Sequence, residues 1–565
     1  MAVPDFNFNF NFSSLSELFL KSVEKYGDRT AFICLNQKIS FNQLAEKAKS
    51  FANYLIHFGK IQPQDRVAIM LPNMIQYPVV LFGILLAGGV VVNLNPLDKA
   101  SAILHELKNS DAKIIVVLEN FIEELGQIID QTSIQQVILT SIGAMYPWYL
   151  KNLINFYLRH IKKIVPQWTI PGSIRLKKAL ALGKLSGEYN FNINNFDINN
   201  LAFLQYTSGT TGLPKGAMLS HKNILANLFQ AKTWAGDLFQ SGHDKIMTPL
   251  PLYHIFSLTA NCLLFVYLGV ENILILNPKD LKNLIKILKQ EKISALTGVN
   301  TLFAALVNHK DFKYINFSSL KLTLGGGMSV LPSVAECWRK LTGNSICQAY
   351  GLTEASPAVC INPPNDLFDG TVGYPVSMTE IGIFNSEGKK LAQGEAGELW
   401  IKGPQIMQGY FKNQAATEEV LTHEGWLKTG DIAQILPNGK VKIIDRLKDI
   451  IIVSGFNVSP LEVEAAISQL DFVQEVGVVG IPDEVHGEQV VACIFLKPDF
   501  KKPESKISWD ILESKIKAHG RKLLAAYKAP KKISFYEKNL PKNNLGKLLH
   551  RELKKIELEK IKNKK

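Results

Sequence analysis

The chain has 565 residues, 47% of them hydrophobic and 20% charged, a balance that belongs to folded proteins and excludes long disordered stretches. Such a length provides for about three or four structural units and buries its cores without a metal or disulfide staple. Lys and Arg outnumber Asp and Glu by 63 to 50, a formal charge of +13, which favours anionic partners without choosing among nucleotides, lipid headgroups and nucleic acid.

The first residues, MAVPDFNFNFNFSS, have no basic n-region and carry Asp5, so they are not a secretory signal. Their alternating Phe/Asn run predicts an extended arm or a flap on the body. From about residue 14 to 200, helical patterns such as FNQLAEKAKSFANYLIHFG alternate with β-branched runs: RVAIML, AKIIVVL and QVILT. This alternation predicts α/β layers around a buried sheet. No 18-residue run is both apolar and uncharged; residues 77–92 come nearest, and their glycines mark a buried helix leading into a strand. The six cysteines (Cys34, Cys262, Cys337, Cys347, Cys360, Cys493) form no CxxC pair, which argues against a disulfide framework or zinc site and fits a reducing compartment.

Residues 141–187 contain eight basic side chains (Lys151, Arg159, Lys162, Lys163, Arg175, Lys177, Lys178, Lys184) and no acidic one. Trp148, Tyr149, Phe156 and Tyr157 lie among them. The pattern fits a helix in an anionic headgroup layer, or else a surface helix packing its apolar face on the body.

Next comes the strongest local signal, YTSGTTGLPKGAML over residues 206–219. It follows the strand-like LAFLQY and precedes a helix NILANLFQ capped by Ser220. Gly209, Gly212 and Gly216 permit a turn with inward N–H groups, Thr207, Ser208, Thr210 and Thr211 add hydroxyls, and Lys215 adds a charge. A polyphosphate fits such a loop. It is not a Walker A loop, because Gly216 stands where Ser or Thr must follow the lysine.

The α/β pattern resumes to about residue 444 and shifts to short strands with Gly turns (EIGIFNSEGK, GELWIKG, KVKIIDR), a β-rich subdomain. A compact α+β unit closes the chain: IIIVSG, a helix opened by Ser459 and Pro460, the strands QEVGVVGI and QVVACIFLK, and the helix SWDILESKIKAHGRKLL. From residue 528 onward there are 13 basic and four acidic residues, read as a cationic tail.

Further motifs stand in a fixed order: PLYHIFSLTA (251–260), LTLGGGMSV (322–330), YGLTEASP (350–357), GWLKTGDIA (425–433), DRLKDIIIVSGFNVSP (445–460) and LPKNNLGKLLHREL (540–553). With the 206–219 loop, this set resembles the adenylate-forming enzymes: acyl-CoA synthetases, beetle luciferases and peptide-synthetase adenylation domains. The wording is most similar to the bacterial long-chain fatty acid–CoA ligase branch. The resemblance implies a large multi-layered N-terminal body, residues 1–447, of two α/β subdomains and a β-rich one. It implies a small mobile α+β C-terminal domain, residues 448–565, hinged at Lys448.

The implied reaction has two steps. A carboxylate does not acylate a thiol directly, because oxide would have to leave. Attack on the α-phosphorus of ATP instead gives an acyl-AMP and pyrophosphate, and AMP then leaves as coenzyme A attacks. The resemblance gives Thr207, Ser208, Gly209, Thr210, Thr211, Gly212 and Lys215 to the β- and γ-phosphates, Tyr206 to the nucleotide site beside them, and Gly325, Gly326 and Gly327 to close approach of adenine or the acyl chain. Tyr350 goes to adenine, Gly351 to the nucleotide site, Thr353 to the α-phosphate, Glu354 with Thr207 to Mg²⁺, Asp431 to ribose and Arg446 to ribose or phosphate. The resemblance makes Lys547 the adenylation lysine, followed by His550-Arg551 where the family usually has Arg-Arg or a similar pair. It implies that His254 lies beside the carboxylate, with Phe256, Leu258, Val299 and Phe303 as tunnel wall, and that Ser454, Gly455 and Phe456 face coenzyme A after the domain swings.

The expected function is activation of a medium- to long-chain fatty acid to its CoA thioester with ATP, Mg²⁺ and coenzyme A, in the cytoplasm and peripherally at the inner face of the cytoplasmic membrane. A homodimer is left open as a further partner. Competing readings are the same chemistry on a short-chain or aryl acid, a fatty acyl-AMP ligase serving a separate carrier protein, and an inactive acyl- or nucleotide-binding protein. A nucleic-acid binder is the last; no nucleic acid is expected as partner, because no DNA- or RNA-reading motif accompanies the charge.

Overall fold

The computed structural model describes residues 12–187, 197–207, 214–364, 366–483, 486–500, 509–543 and 546–562. Two large sheets organise the N-terminal body. One runs, in spatial order, Ile174–Arg175, Gln136–Thr140, Ile114–Leu118, Arg66–Met70, Val90–Asn93, Leu201–Thr207, Lys215–Ser220. Its neighbours are parallel except the last two strands, which form an antiparallel hairpin. The other carries six parallel strands: Ile346–Gly351, Leu322–Gly325, Ala295–Gly298, Lys245–Thr248, Glu271–Leu274 and Thr30–Cys34. Antiparallel strands finish both of its edges.

The helix Gln76–Leu86 is buried along its whole length, with Phe82 stacked on Phe19 at 3.9 Å. No polar stripe interrupts it because no side of it meets water. Among the described residues no helix is long and apolar enough to cross a membrane.

A four-stranded antiparallel sheet follows: Glu380–Phe384, Ala396–Lys402, Leu427–Ile435 and Val441–Arg446. The C-terminal lobe has its own sheet, built on the long hairpin Val473–Asp483 with Gly487–Leu496, and its own apolar clusters. The expected α/β class, with a large body and a small α+β lobe, is the observed one.

Local signals explain several boundaries. Ser40 and Gln43 form a reciprocal cap on Phe41–His57, Ser220 and Asn223 do the same for His221–Ala235, and Ser459 caps Pro460–Ile467. Two readings change. Residues 215–219, taken as part of a phosphate loop, form the return strand of a hairpin. The basic "tail" is folded: it gives the strand Lys532–Tyr536 and the helix His550–Lys562, and its Lys532, Lys542, Lys554 and Lys560 pair with Glu557, Glu475 and Glu488. The Phe/Asn run lies mostly outside the described residues; Phe12, at its end, packs against Phe229 and Tyr267 at ring distances of 6.1 and 6.0 Å.

The helix Trp148–Phe156 and the turn Tyr157–Ile161 do not bury their apolar stripe. Tyr149, Leu153, Tyr157 and Ile161 are 57%, 64%, 43% and 63% exposed.

Candidate active site

One continuous cleft of about 1310 Å³ runs through the body and under the lobe. Its walls include Tyr206, Thr207, Lys215, His254, Gly326, Gly327, Tyr350, Gly351, Thr353, Glu354, Asp431, Arg446, Lys448 and Lys547. Residues from seven separated motifs thus share one cavity.

At one end is the hairpin. Thr207 pairs with Lys215 and Tyr206 with Gly216, which sets the threonine and the lysine opposite each other where the loop begins and ends. Ser208, Gly209, Thr210, Thr211 and Gly212 lie outside the described residues. The Tyr206 hydroxyl donates to Asn109 Oδ1 (2.7 Å) and the Glu106 carbonyl (3.1 Å), so it braces the hairpin on the helix Ala100–Ser110. A Cβ on Gly216 would lie 3.2 Å from the Tyr206 ring, a tight approach that glycine avoids.

Residues 407–411 are stitched along this hairpin. Gln408 N–H donates to the Met218 carbonyl, Met218 N–H to Gly409, and Phe411 N–H to Gly216. Met407 N–H donates to the Glu354 carbonyl at 2.8 Å. Tyr410 therefore sits between the motifs: its hydroxyl donates to Glu354 Oε1 (2.7 Å), and the Lys215 ammonium lies 5.1 Å from its ring centre. Burial, and then the Glu354 charge, push the Tyr410 hydroxyl above its ordinary range, so it stays a donor. Glu354 Oε2 has no protein hydrogen bond among the described residues. A hard carboxylate oxygen and a threonine hydroxyl lining the same cleft suit Mg²⁺; the residues present fit the ion.

On the opposite wall, Tyr350 ends the strand Ile346–Gly351. Its hydroxyl donates to Asp431 Oδ2 at 2.6 Å, and Arg446 Nε stands 3.4 Å from Asp431 Oδ1. Asp431 and Arg446 are cross-strand partners, so sheet register sets this pair. Burial, and then Asp431, raise the Tyr350 hydroxyl far above its usual value.

Arg446 is followed by an exposed turn containing Lys448. Next to it, buried Asp445 accepts from Ser459 Oγ (2.5 Å) and Leu461 N–H (3.0 Å), tying the last strand of the body to the first helix of the lobe.

The lobe places Lys547 in the cleft. Gly546 rests on the body's helix Asn300–Val307, so close that a Cβ would lie 2.6 Å from Thr301 Oγ1. Burial, and then the Arg446 guanidinium, push the Lys547 ammonium down to about 8. Its neighbour His254 is held down to about 4, by burial and then by the Lys547 cation, and is neutral near pH 7. Its Nδ1 accepts from the Phe256 N–H at 3.3 Å. His550 meets Glu464 at 2.7 Å within the lobe.

The far end of the cleft is mostly apolar. Asn227, Ala231, Trp234 and Ala235 from one face of His221–Ala235 oppose Ile246, Ala295, Leu322, Leu324 and Gly326 from the sheet. Of the four expected wall residues only Phe256 faces the cavity. Leu258, Val299 and Phe303 are buried packing, Phe303 against Trp338 at 5.0 Å. Gly325 also leaves the list: a Cβ there would meet Ile346 and Val330 at 2.9 Å, so it serves core packing. Ser454, Gly455 and Phe456 form an exposed turn outside the cleft, with the Phe456 ring 4.9 Å from that of Tyr527.

Tyr410, the tunnel face and Asp445 were not foreseen. Only the tunnel face had a sequence signal, the spacing 227, 231, 234, 235 along a helix.

Residues 19–411 match the family model for AMP-binding enzymes, and 462–547 match the AMP-binding enzyme C-terminal domain. The chain belongs to the AMP-binding enzyme family. It is 44% identical over 556 residues to a long-chain-fatty-acid–CoA ligase of Salmonella typhimurium, covering 98% of this chain and 96% of that protein. A ligase of the same name from Bacillus subtilis is 33% identical, with 97% and 95% covered. Among solved structures, ATP-bound MatB from Rhodopseudomonas palustris superposes with a TM-score of 0.80 at 25% identity, covering 96% of this chain and 98% of that one. The anthranilate CoA ligase AuaEII in complex with anthranoyl-AMP shares the fold, with a TM-score of 0.83 at 23% identity over 96% and 97% of the two chains.

Proposed function

We propose that this chain is a long-chain fatty acid–CoA ligase, joining a fatty acid to AMP with release of pyrophosphate and then passing the acyl group to coenzyme A. The observation that carries the choice of acid is the apolar arm of the cleft. It follows the strand from Gly326 down to Leu322, about 13 Å at the usual rise per residue. An acetyl or benzoyl group leaves that depth mostly empty, and an alkyl chain fills it, each buried methylene contributing about 0.8 kcal/mol.

The arrangement supports a division of labour. Thr207 and Lys215 hold the polyphosphate tail as it becomes pyrophosphate. Thr353 donates to the α-phosphate, and Asp431, aligned by Tyr350 and Arg446, accepts from ribose hydroxyls. Glu354 and Thr207 would hold Mg²⁺, which neutralises phosphate charge when bound. The Lys547 ammonium stands where carboxylate and α-phosphate meet, and stabilises the charge that develops there. Neutral His254 lines the same junction and adds no competing cation.

For the second step the lobe, taken as residues 448–565, turns about Lys448. Lys547 withdraws and the Ser454-Gly455-Phe456 turn faces the cleft as the coenzyme A side. The exposed position of that turn outside the present cleft supports this.

The outward stripe of Tyr149, Leu153, Tyr157 and Ile161, set among Lys151, Lys162 and Lys163, which form no ion pair among the described residues, supports a working position on an anionic membrane surface, where free fatty acids partition.

The test is a panel of acids from acetate through long-chain fatty acids and aryl acids, read as pyrophosphate exchange and as AMP release with and without coenzyme A. Exchange with long-chain acids and AMP release that needs coenzyme A are expected. Exchange confined to short or aryl acids would move the substrate class. Acyl-AMP that accumulates and ignores coenzyme A would make the chain an acyl-AMP ligase.

A further inference from the structure

A second cavity, of about 410 Å³, opens beneath the exposed helix and is separate from the active-site cleft. Its floor is the end of the strand Gln136–Thr140 with Ser141, and its walls carry Lys151, Arg159, His160, Arg175 and Lys177. The helix is pinned over it: Asn155 Nδ2 donates to Ser141 Oγ at 3.1 Å, and Asn155 Oδ1 accepts from Gly143 N–H at 3.3 Å.

The charges do not balance. Arg159 and Arg175 both reach one oxygen of Glu119, at 2.5 and 2.6 Å, and that carboxylate is nearly buried. Lys151 and Lys177 form no ion pair among the described residues. The cavity is therefore lined by four permanent cations, and among the described residues Glu119 is the one carboxylate paired with any of them. An anion seated here would meet two guanidiniums already fixed in place, which lowers the cost of ordering them.

The outer side of the same helix presents Tyr149, Leu153, Tyr157 and Ile161 to solvent. Phe156, 57% exposed, also lines the cavity. A ligand suited to both features has a phosphate at one end and hydrocarbon at the other.

We infer that this cavity binds the phosphodiester of an anionic phospholipid, whose acyl chains lie along the exposed stripe of residues 149–161. The inference rests on the membrane reading above and adds to it a defined headgroup seat. Diffuse attraction would spread over all the surface lysines; a seat depends on those that line it.

Two probes separate the seat from the surface. Vesicles of phosphatidylcholine with or without phosphatidylglycerol test membrane binding by co-sedimentation. Monomeric dihexanoyl phosphatidylglycerol, below its micelle concentration, tests the seat by calorimetry. The variants are K151A/K177A in the cavity and K162A/K163A outside it, with octanoate activation in solution as the check that both remain folded and active. The seat predicts saturable binding of one short-chain lipid per chain, weakened about 30-fold in K151A/K177A, the scale of one or two lost charge-assisted contacts, and nearly unchanged in K162A/K163A. Vesicle binding without saturable monomer binding, or equal monomer affinity in both variants, overturns the seat and leaves the membrane reading intact. Wild-type protein that ignores phosphatidylglycerol vesicles overturns the membrane reading and the seat with it.

Discussion

The Tyr410 hydroxyl donates to Glu354 across 2.7 Å while the Lys215 ammonium lies over the same ring. One aromatic side chain thereby positions a polyphosphate-side cation and the proposed magnesium ligand. Replacing Tyr410 with Phe keeps the ring and removes the donor. Magnesium titrations of pyrophosphate exchange should show about tenfold weaker apparent ion affinity, the scale of a hydrogen bond to a charged group, while E354Q should lose far more. An unchanged magnesium requirement in Y410F would separate the tyrosine from that role.

Lys547 should divide the two half-reactions. K547A is expected to slow acyl-AMP formation by on the order of 10²–10³, as for one lost transition-state contact. Transfer from pre-made acyl-AMP to coenzyme A should be nearly spared. Equal losses in both assays would contradict the assigned role.

The same lysine predicts a pH limb. Its ammonium is depressed to about 8, so it is charged below that pH and progressively neutral above it. The kcat/KM of adenylation should fall on the alkaline side near pH 8, because this parameter reports the free enzyme. K547R, lower in rate, should lose that limb, since a guanidinium stays charged. His254, held down to about 4, should contribute no limb near neutrality.

His550 gives a stability prediction. Burial would lower its pKa, but Glu464 overcomes this and raises it above the ordinary value. A histidine raised on folding adds stability that is fully present below its unfolded pKa of about 6.5 and is lost as pH rises through the folded value. The Tm difference between wild type and H550Q should be widest below about pH 6.5 and shrink at alkaline pH. A constant difference across that range would remove the ion pair as its cause.

The tunnel predicts a specificity change. Ala231 faces the apolar arm, so A231F should obstruct its depth. Activity on long-chain acids should fall at least about tenfold relative to octanoate, two lost methylene contacts being worth roughly that much. Parallel losses for all chain lengths would place the ring elsewhere.

The sequence displayed motif residues well because each motif is local: Tyr350 with Glu354, or Asp431 two residues after Thr429, needs no partner to be noticed. Capped helices were equally visible, since Ser220 and Ser459 signal through neighbours three residues away. Tyr410 was hidden because its importance comes from strand pairing with residues 216–218, some 190 positions earlier. Phe256 and Phe303 looked alike as apolar residues, and only packing set one on the cavity and the other against Trp338. The cationic end of the chain misled by composition: charge runs say nothing of carboxylates, such as Glu475 and Glu488, that folding brings alongside.

Gly546 meets Thr301 through bare backbone, with no side chain of its own to interlock. A joint of that kind is a doorstop rather than a bolt. In the proposed two-step cycle it would set how far the lobe closes without locking it there, so that breaking this contact costs little when the lobe turns.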